Sequence, residues 1–323
     1  MNLVLYSENI AQGQMVCEFE ASVARYNGFR MGAAVSSGTA ALVFALKALH
    51  VQDGDEVIIP TYVCRNVADA VLHVGALPVF CDVDFCWNMT AELTEKHISP
   101  RTKAIVVVHL FGIPIDVRPF VQLGLPVIED GCQAFGAENN KKKVGMVGDM
   151  GIFSFHATKC LTTGEGGMIV TNSEELAGRI FDLCGDNSIV APMSDIQASL
   201  GISQLSRYDE FLKRRKKLAH RYFDELPEYL MVRMNNIRNS SIFYRFLLTS
   251  DIDFHRVQET FLSHDIAIRR GVDALLHRKY GLSDDAYLNA AQLFDTTISI
   301  PIYPSLTDDE QEQVIQACSQ ILT

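Results

Sequence analysis

Gly151-Ile152-Phe153-Ser154-Phe155-His156-Ala157-Thr158-Lys159-Cys160-Leu161-Thr162-Thr163-Gly164-Glu165-Gly166-Gly167 is the stretch whose reading decides the fold. An apolar, strand-like run from Met150 to Phe155 is broken by His156 and then by a single lysine. A Thr/Gly-rich loop follows, and a new strand begins at Met168-Ile169-Val170. Lys159 has no acidic residue within five positions on either side. A lysine so placed at the mouth of a parallel sheet and partly desolvated loses its proton more readily than one in water, and can form a Schiff base. The plain alternative is a solvated loop lysine, and only the rest of the chain decides against it.

Working outward, the pattern alternates. Cys17 to Tyr26 reads as a short amphipathic helix ending near Gly28, and Met31 to Val35 leads into Ser36-Ser37-Gly38-Thr39 and the apolar helix from Ala40 to Leu46. A small-residue turn opening a helix leaves backbone N–H groups aimed outward, a ready anion site. Strands are expected at Glu56 to Ile59, Leu77 to Val83, Ala104 to His109 and Pro126 to Ile128, with helices at Val67 to His73, Ala91 to Ile98 and Asp116 to Leu123 between them. Strands separated by helices imply right-handed crossovers and a mainly parallel sheet, with ligands beyond the carboxyl ends of its strands. Glu129, Asp130 and Gln133 lie at one such end, and Ser154 to Lys159 at another.

From Ser194 the pattern changes. Helices are expected at Asp195 to Leu205, Tyr208 to Leu226, Phe254 to His264 and Asp308 to Leu322, with strands at Ile242 to Thr249 and Ile298 to Ile300. The run Lys213-Arg214-Arg215-Lys216-Lys217 reads as a solvated helix face. The fold class is therefore α/β: a large domain, 1–206, with a mainly parallel sheet flanked by helices, and a smaller C-terminal α+β domain, 207–323.

The 323 residues and 48% hydrophobic content are ample for a large core, and the net charge of −11 argues against nucleic acid or an anionic membrane as a partner. No apolar run approaches the ~20 residues that span a bilayer. Eight scattered cysteines form no CxxC pair, so neither a zinc site nor a disulfide framework is suggested, and reduced thiols in a cytoplasmic setting are the simplest account.

Taken together, Ser37-Gly38-Thr39-Ala40-Ala41-Leu42, Gly54-Asp55-Glu56-Val57, Pro60-Thr61-Tyr62, Glu129-Asp130 with Gln133-Ala134-Phe135-Gly136, Ser154-Phe155-His156-Ala157-Thr158-Lys159, Gly164-Glu165-Gly166-Gly167 and Ile196-Gln197-Ala198-Ser199-Leu200-Gly201 resemble the DegT/DnrJ/EryC1/StrS family. These are pyridoxal-phosphate (PLP) sugar aminotransferases of fold type I. The resemblance covers nearly the whole chain. Its relatives that dehydrate keto-deoxysugars carry histidine where Lys159 stands, so a lysine there points to transamination.

The resemblance implies pyridoxal 5'-phosphate as cofactor, held on Lys159 as a Schiff base, with Lys159 also shuttling the proton. Asp130 would face the pyridine nitrogen. An ion pair at ~4 Å in an effective dielectric of about 20 is worth roughly 4 kcal/mol, enough to keep that nitrogen protonated. Gln133 would contact the ring oxygen, Gly38 and Thr39 would hold the phosphate with Ser154 as a further donor, and His156 would border the cofactor. Glutamate is the implied amino donor and a nucleotide-linked keto-sugar the acceptor, in sugar or polysaccharide biosynthesis, within a homodimer.

The sequence departs from the family pattern in two places that bear on the site. Cys64 stands where an aromatic normally covers the PLP ring. The stretch Cys184 to Met193 is compressed, with Val190-Ala191-Pro192 where the family has an asparagine donated to the partner's phosphate, so Asn187 is the expected replacement. These departures keep two alternatives open: a keto-cyclitol acceptor, and a PLP-binding regulatory protein with little turnover.

Overall fold

The computed structural model describes Val4, residues 10–185 and residues 192–322. Seven strands form the main sheet: β1 (Met31–Val35), β2 (Glu56–Pro60), β3 (Leu77–Cys81), β4 (Thr102–Val108), β5 (Val127–Asp130), β8 (Met150–Ser154) and β9 (Gly167–Thr171). A small hairpin of β6 (Glu138–Asn139) and β7 (Lys142–Lys143) lies between β5 and β8 in the chain. The order across the main sheet is β1-β9-β8-β5-β4-β2-β3. β9 runs antiparallel to both of its neighbours, whereas β8, β5, β4, β2 and β3 are mutually parallel. The expected mainly parallel sheet is therefore present.

The central strands are apolar throughout because helices cover both faces: Ala104, Ile105, Val106 and Val107 are all fully buried. The helix Gly38–Ala48 is apolar nearly all round for the same reason, with Ala41 through Leu46 buried. Burying a side chain such as Phe44 contributes about 1.5–3 kcal/mol. The helix starts where the Ser37 hydroxyl accepts the Ala40 N–H at 3.1 Å.

A second core cluster sits under the lysine loop. Phe153 and Phe155 turn to one face of β8 and its extension, meeting the Phe135 ring at 5.2 and 5.8 Å, while Phe19 packs edge-on to Phe155 at 5.1 Å. Alternation then sends Ser154 to the opposite face. The loop is pinned by main-chain and threonine bonds: Phe155 N–H to the Gly166 carbonyl (2.8 Å), Thr163 N–H to the Phe155 carbonyl (2.9 Å) and the Thr163 hydroxyl to the Glu165 carbonyl (2.6 Å).

The C-terminal part carries a three-stranded antiparallel sheet, ordered β10 (Phe246–Thr249), β12 (Thr297–Ile300), β11 (Arg269–Arg270), with helices Tyr208–Glu225, Phe254–Leu262, Leu288–Thr296 and Asp308–Ile321. The strand expected from Ile242 starts only at Phe246, because the Ile242 and Arg245 N–H groups donate to the Gly112 and Phe111 carbonyls and the Phe243 N–H to the Ser241 hydroxyl instead. The helix expected over Asp116 to Leu123 is confined to Arg118–Val121, with Val117 as its N-cap, Pro119 in its first turn and the Asp116 carboxylate accepting the Arg118 N–H at 3.1 Å. The basic run is also not uniformly solvated. Arg215 is buried, and its Nη1 donates to the carbonyls of Phe243, Tyr244 and Ile302.

Side-chain bonds tie this part to the main sheet. Asp82 accepts the Asn289 and Ala290 N–H groups at the start of the helix Leu288–Thr296, and the Trp87 indole donates to Thr297 at 2.9 Å. Thr61 meets the His277 ring at 2.7 Å, and the other ring nitrogen meets Asp284 at 2.8 Å. Among the described residues no helix is long and apolar enough to cross a membrane, and no cluster of potential metal ligands forms.

Candidate active site

The parallel register brings Asp130 beside Val108 on one side and Ile152 on the other, at the carboxyl edge of the sheet. Ser154 follows two residues beyond Ile152. A cavity of about 250 Å³ opens there, lined among others by Gly38, Thr39, Cys64, Asp130, Ser154, His156 and Lys159. Among the described residues, every one to which the resemblance assigns a cofactor contact lines this cavity except Gln133. That side chain is turned to the main chain of the Phe111 turn, where its Oε1 accepts the Phe111 N–H at 2.8 Å, and it does not line the cavity. Asn187, Val190 and Ala191 lie outside the described residues.

Two helices point their N-termini at the cavity, Gly38–Ala48 and Arg65–His73. The Asn66 amide donates to the Thr39 hydroxyl at 3.1 Å and locks one to the other. Partial positive charge from both therefore falls in one place. Gly38 has to be glycine: a Cβ there would come 2.8 Å from Ser154 Cβ and 3.0 Å from Cys132 Sγ. Gly167 has to be glycine as well, since a Cβ would run into the Ser37 carbonyl and stand 2.7 Å from the Gly38 nitrogen.

Asp130 is buried, and its Oδ1 accepts the Cys132 N–H at 2.9 Å. Cys132 also lines the cavity and its thiol is pushed well up by burial, with Asp130 adding to the effect. Lys159 is half-buried, with Nζ 5.2 Å from the centroid of the Tyr244 ring. Burial pulls its pKa down, but Tyr244, Cys132, Cys64 and Asp130 together outweigh that, leaving it above the ordinary lysine value. This is opposite to the direction that desolvation alone gives, because groups distant in sequence surround the amine.

His156 lies at the cavity mouth. Its Nδ1 accepts the Thr158 N–H at 3.2 Å, so the ring proton belongs on Nε2, which faces Glu165 at 3.5 Å. Cys64 borders solvent in the cavity, yet the protein around its sulfur pushes the thiol up, with Asp130 adding to this and Lys159 opposing it.

Tyr244, Cys132 and Asn66 have no role in the sequence reading, and Glu165 enters it only within the Gly164–Gly167 block. Cys132 stands two residues after Asp130, a spacing that could have indicated it. Tyr244 sits in an ordinary apolar run, and nothing local marks it.

The donor set fits PLP. Helix N-termini and the Ser154 hydroxyl offer hydrogen-bond donors to a phosphate, a buried carboxylate suits a protonated ring nitrogen, and an amine is available for an aldehyde. The sequence model of the DegT/DnrJ/EryC1/StrS aminotransferase family matches residues 1–319. The chain belongs to the DegT/DnrJ/EryC1/StrS aminotransferase family. This PLP-dependent family comprises enzymes of the kind seen among the relatives. The chain is 32% identical to the spore coat polysaccharide biosynthesis protein SpsC of Bacillus subtilis, over 97% of this chain and 91% of that protein. It is 33% identical to the GDP-perosamine synthase of Escherichia coli O157:H7, over 96% and 90% of the respective chains. DesV of S. venezuelae superposes with a TM-score of 0.91 at 27% identity, covering 99% of this chain and 92% of DesV. The sugar aminotransferase Spr1654 of Streptococcus pneumoniae, in its PLP form, gives 0.89 at 25% identity, covering 100% and 95%. The family's fold type I architecture is the one described above.

Proposed function

We propose that this family member is a PLP-dependent aminotransferase that moves an amino group, supplied by glutamate, to a nucleotide-linked keto-sugar. The observation that carries the reading is the convergence of Lys159, Asp130, Ser154 and the N-terminus of the helix Gly38–Ala48 on one cavity. PLP, when bound, supplies the electron sink for transamination. Lys159 would anchor its aldehyde and, once released, carry the proton at the reacting carbon. Asp130 would hold the proton on the ring nitrogen, and its burial keeps water from competing for that contact. The Gly38 and Thr39 N–H groups and the Ser154 hydroxyl would bind the phosphate. His156, held by Thr158 and Glu165 at the mouth, would border it.

Relatives named for GDP-, dTDP- and UDP-linked sugars support a nucleotide-linked acceptor. The reading includes a homodimer, a cytoplasmic setting in keeping with eight free thiols, and a division into units 1–206 and 207–323, the second contributing Tyr244. Incubating the PLP-loaded protein with glutamate should change the cofactor absorbance and release 2-oxoglutarate. Subsequent addition of a nucleotide-linked keto-sugar should restore the first spectrum. Restoration by a free keto-cyclitol alone would contradict the acceptor, no glutamate reaction would contradict the donor, and a sedimenting monomer with tight PLP would contradict the dimer.

A further inference from the structure

Cys132 reaches the Asp130 carboxylate twice. Its main-chain N–H donates to Oδ1 at 2.9 Å, and its thiol hydrogen-bonds to the same side chain. The sulfur has a second neighbour. A Cβ added at Gly38 would come 3.0 Å from it, so it lies against the turn that opens the helix Gly38–Ala48. Cys132 therefore stands between the two ends of the cavity, Asp130 at one and the Gly38 turn at the other, in the same wall as Lys159. Burial and the neighbouring Asp130 push the thiol well up, so at neutral pH the sulfur keeps its proton and is a donor, not a nucleophile. A carboxylate held by one backbone donor still turns about its last torsion, where the energy wells are broad. A second donor on a fixed side chain removes that freedom, and donation to a charged acceptor strengthens an otherwise weak S–H bond.

We propose that Cys132 is a positioning residue for transamination: its thiol donates to the Asp130 carboxylate and fixes the plane in which that carboxylate meets the cofactor's ring nitrogen. The proposal rests on the aminotransferase reading of this cavity. Two substitutions separate donation from packing. Cys132→Ala and Cys132→Ser both remove the sulfur that fills the space beside Gly38, but only serine keeps a side-chain donor. A packing role makes the two variants alike, whereas a donor role makes them unlike.

The test compares both variants with wild type as PLP-loaded full chains. Cys132→Ala should slow the glutamate half-reaction about tenfold with little change in the glutamate concentration for half-saturation, and Cys132→Ser should stay within about threefold. A ring nitrogen that holds its proton less firmly withdraws less charge from the Lys159 linkage. The pH midpoint of the bound cofactor's visible absorbance should therefore rise by about half a unit or more in Cys132→Ala and stay in place in Cys132→Ser. Alanine and serine variants that match each other, an alanine variant within a factor of about two of wild type, or an unmoved midpoint would each overturn the proposal. An alanine variant too damaged to hold PLP, beside an intact serine variant, would separate the two in the expected direction. The donor bond is also read without cofactor, from the infrared S–H stretch that disappears in Cys132→Ser. It should lie below that of a free thiol and move up in Asp130→Asn; a band at the free-thiol frequency would overturn the proposal. A wild-type protein inert toward glutamate would remove the aminotransferase reading, and the S–H band would still decide the bond to Asp130.

Discussion

Glu129 and His109 meet 3.0 Å apart at the ends of two adjacent strands, with only 1% of either side chain exposed. His109 Nδ1 accepts the Ile115 N–H, so Nε2 carries the proton and donates to the Glu129 carboxylate. The same carboxylate accepts the N–H groups of Gly145, Val147 and Gly148. The His109 main-chain N–H donates to the Asp130 carbonyl at 3.0 Å. The far face of the strand is thereby fixed while Asp130 faces the cavity.

Glu129→Gln keeps the shape but gives an amide that cannot accept on both sides. At least one buried donor loses its acceptor, and the expected cost is about 3 kcal/mol of stability. Burial alone would raise the Glu129 carboxyl, but the donors from His109, Gly148 and Gly145 outweigh it and hold it below the ordinary glutamate range. Its contribution to stability is therefore present above the ordinary glutamate pKa and lost as pH falls through its own lower value. Denaturant melts of wild type and variant across acid pH check both points. A variant as stable as wild type at neutral pH would contradict the account.

The sheet was legible because its strands are short apolar runs broken by helical stretches, and the lysine loop because threonine and glycine interrupt that pattern. The cavity's near wall was legible for the same reason: Asp130 and Ser154 follow directly from strand ends. What was hidden is long-range. Gln133 is drawn to the Phe111 N–H, 22 positions away in sequence, and Arg215 is drawn out of a basic run by three carbonyls from distant segments. Local patterning carries no trace of either acceptor.

Gly167→Ala should displace the turn at Ser37 and Gly38, because the added carbon meets main-chain atoms that cannot rotate away. Overpacking of this kind costs about 1–3 kcal/mol. The phosphate cradle is the first element to shift, so PLP affinity should fall about tenfold or more. Titrating the apo-protein with PLP measures it. Unchanged affinity would remove the Gly38 turn from the cofactor site.

Asp130→Asn should leave the Cys132 N–H bonded, since the amide oxygen can still accept it. The neutral side chain cannot hold a ring proton by charge. Turnover should fall far more than PLP occupancy, a split read from steady-state rates alongside the cofactor absorbance. Turnover within a factor of about two of wild type would contradict the role.

Cys64 should react slowly with alkylating agents at neutral pH, because its thiol pKa is raised. It borders the cavity at the start of the helix Arg65–His73, so bound PLP should slow the reaction further. Mass-spectrometric rates with and without cofactor decide the matter. Equal rates would mean that Cys64 does not face the cofactor.

The central claim is that Lys159 is the amine that holds PLP. Borohydride reduction of the PLP-loaded protein, followed by proteolysis and peptide mapping, tests it directly. The account predicts a pyridoxyl group on the peptide containing Lys159 and none on that site in Lys159→Ala; a label on any other lysine of the wild-type protein would contradict it.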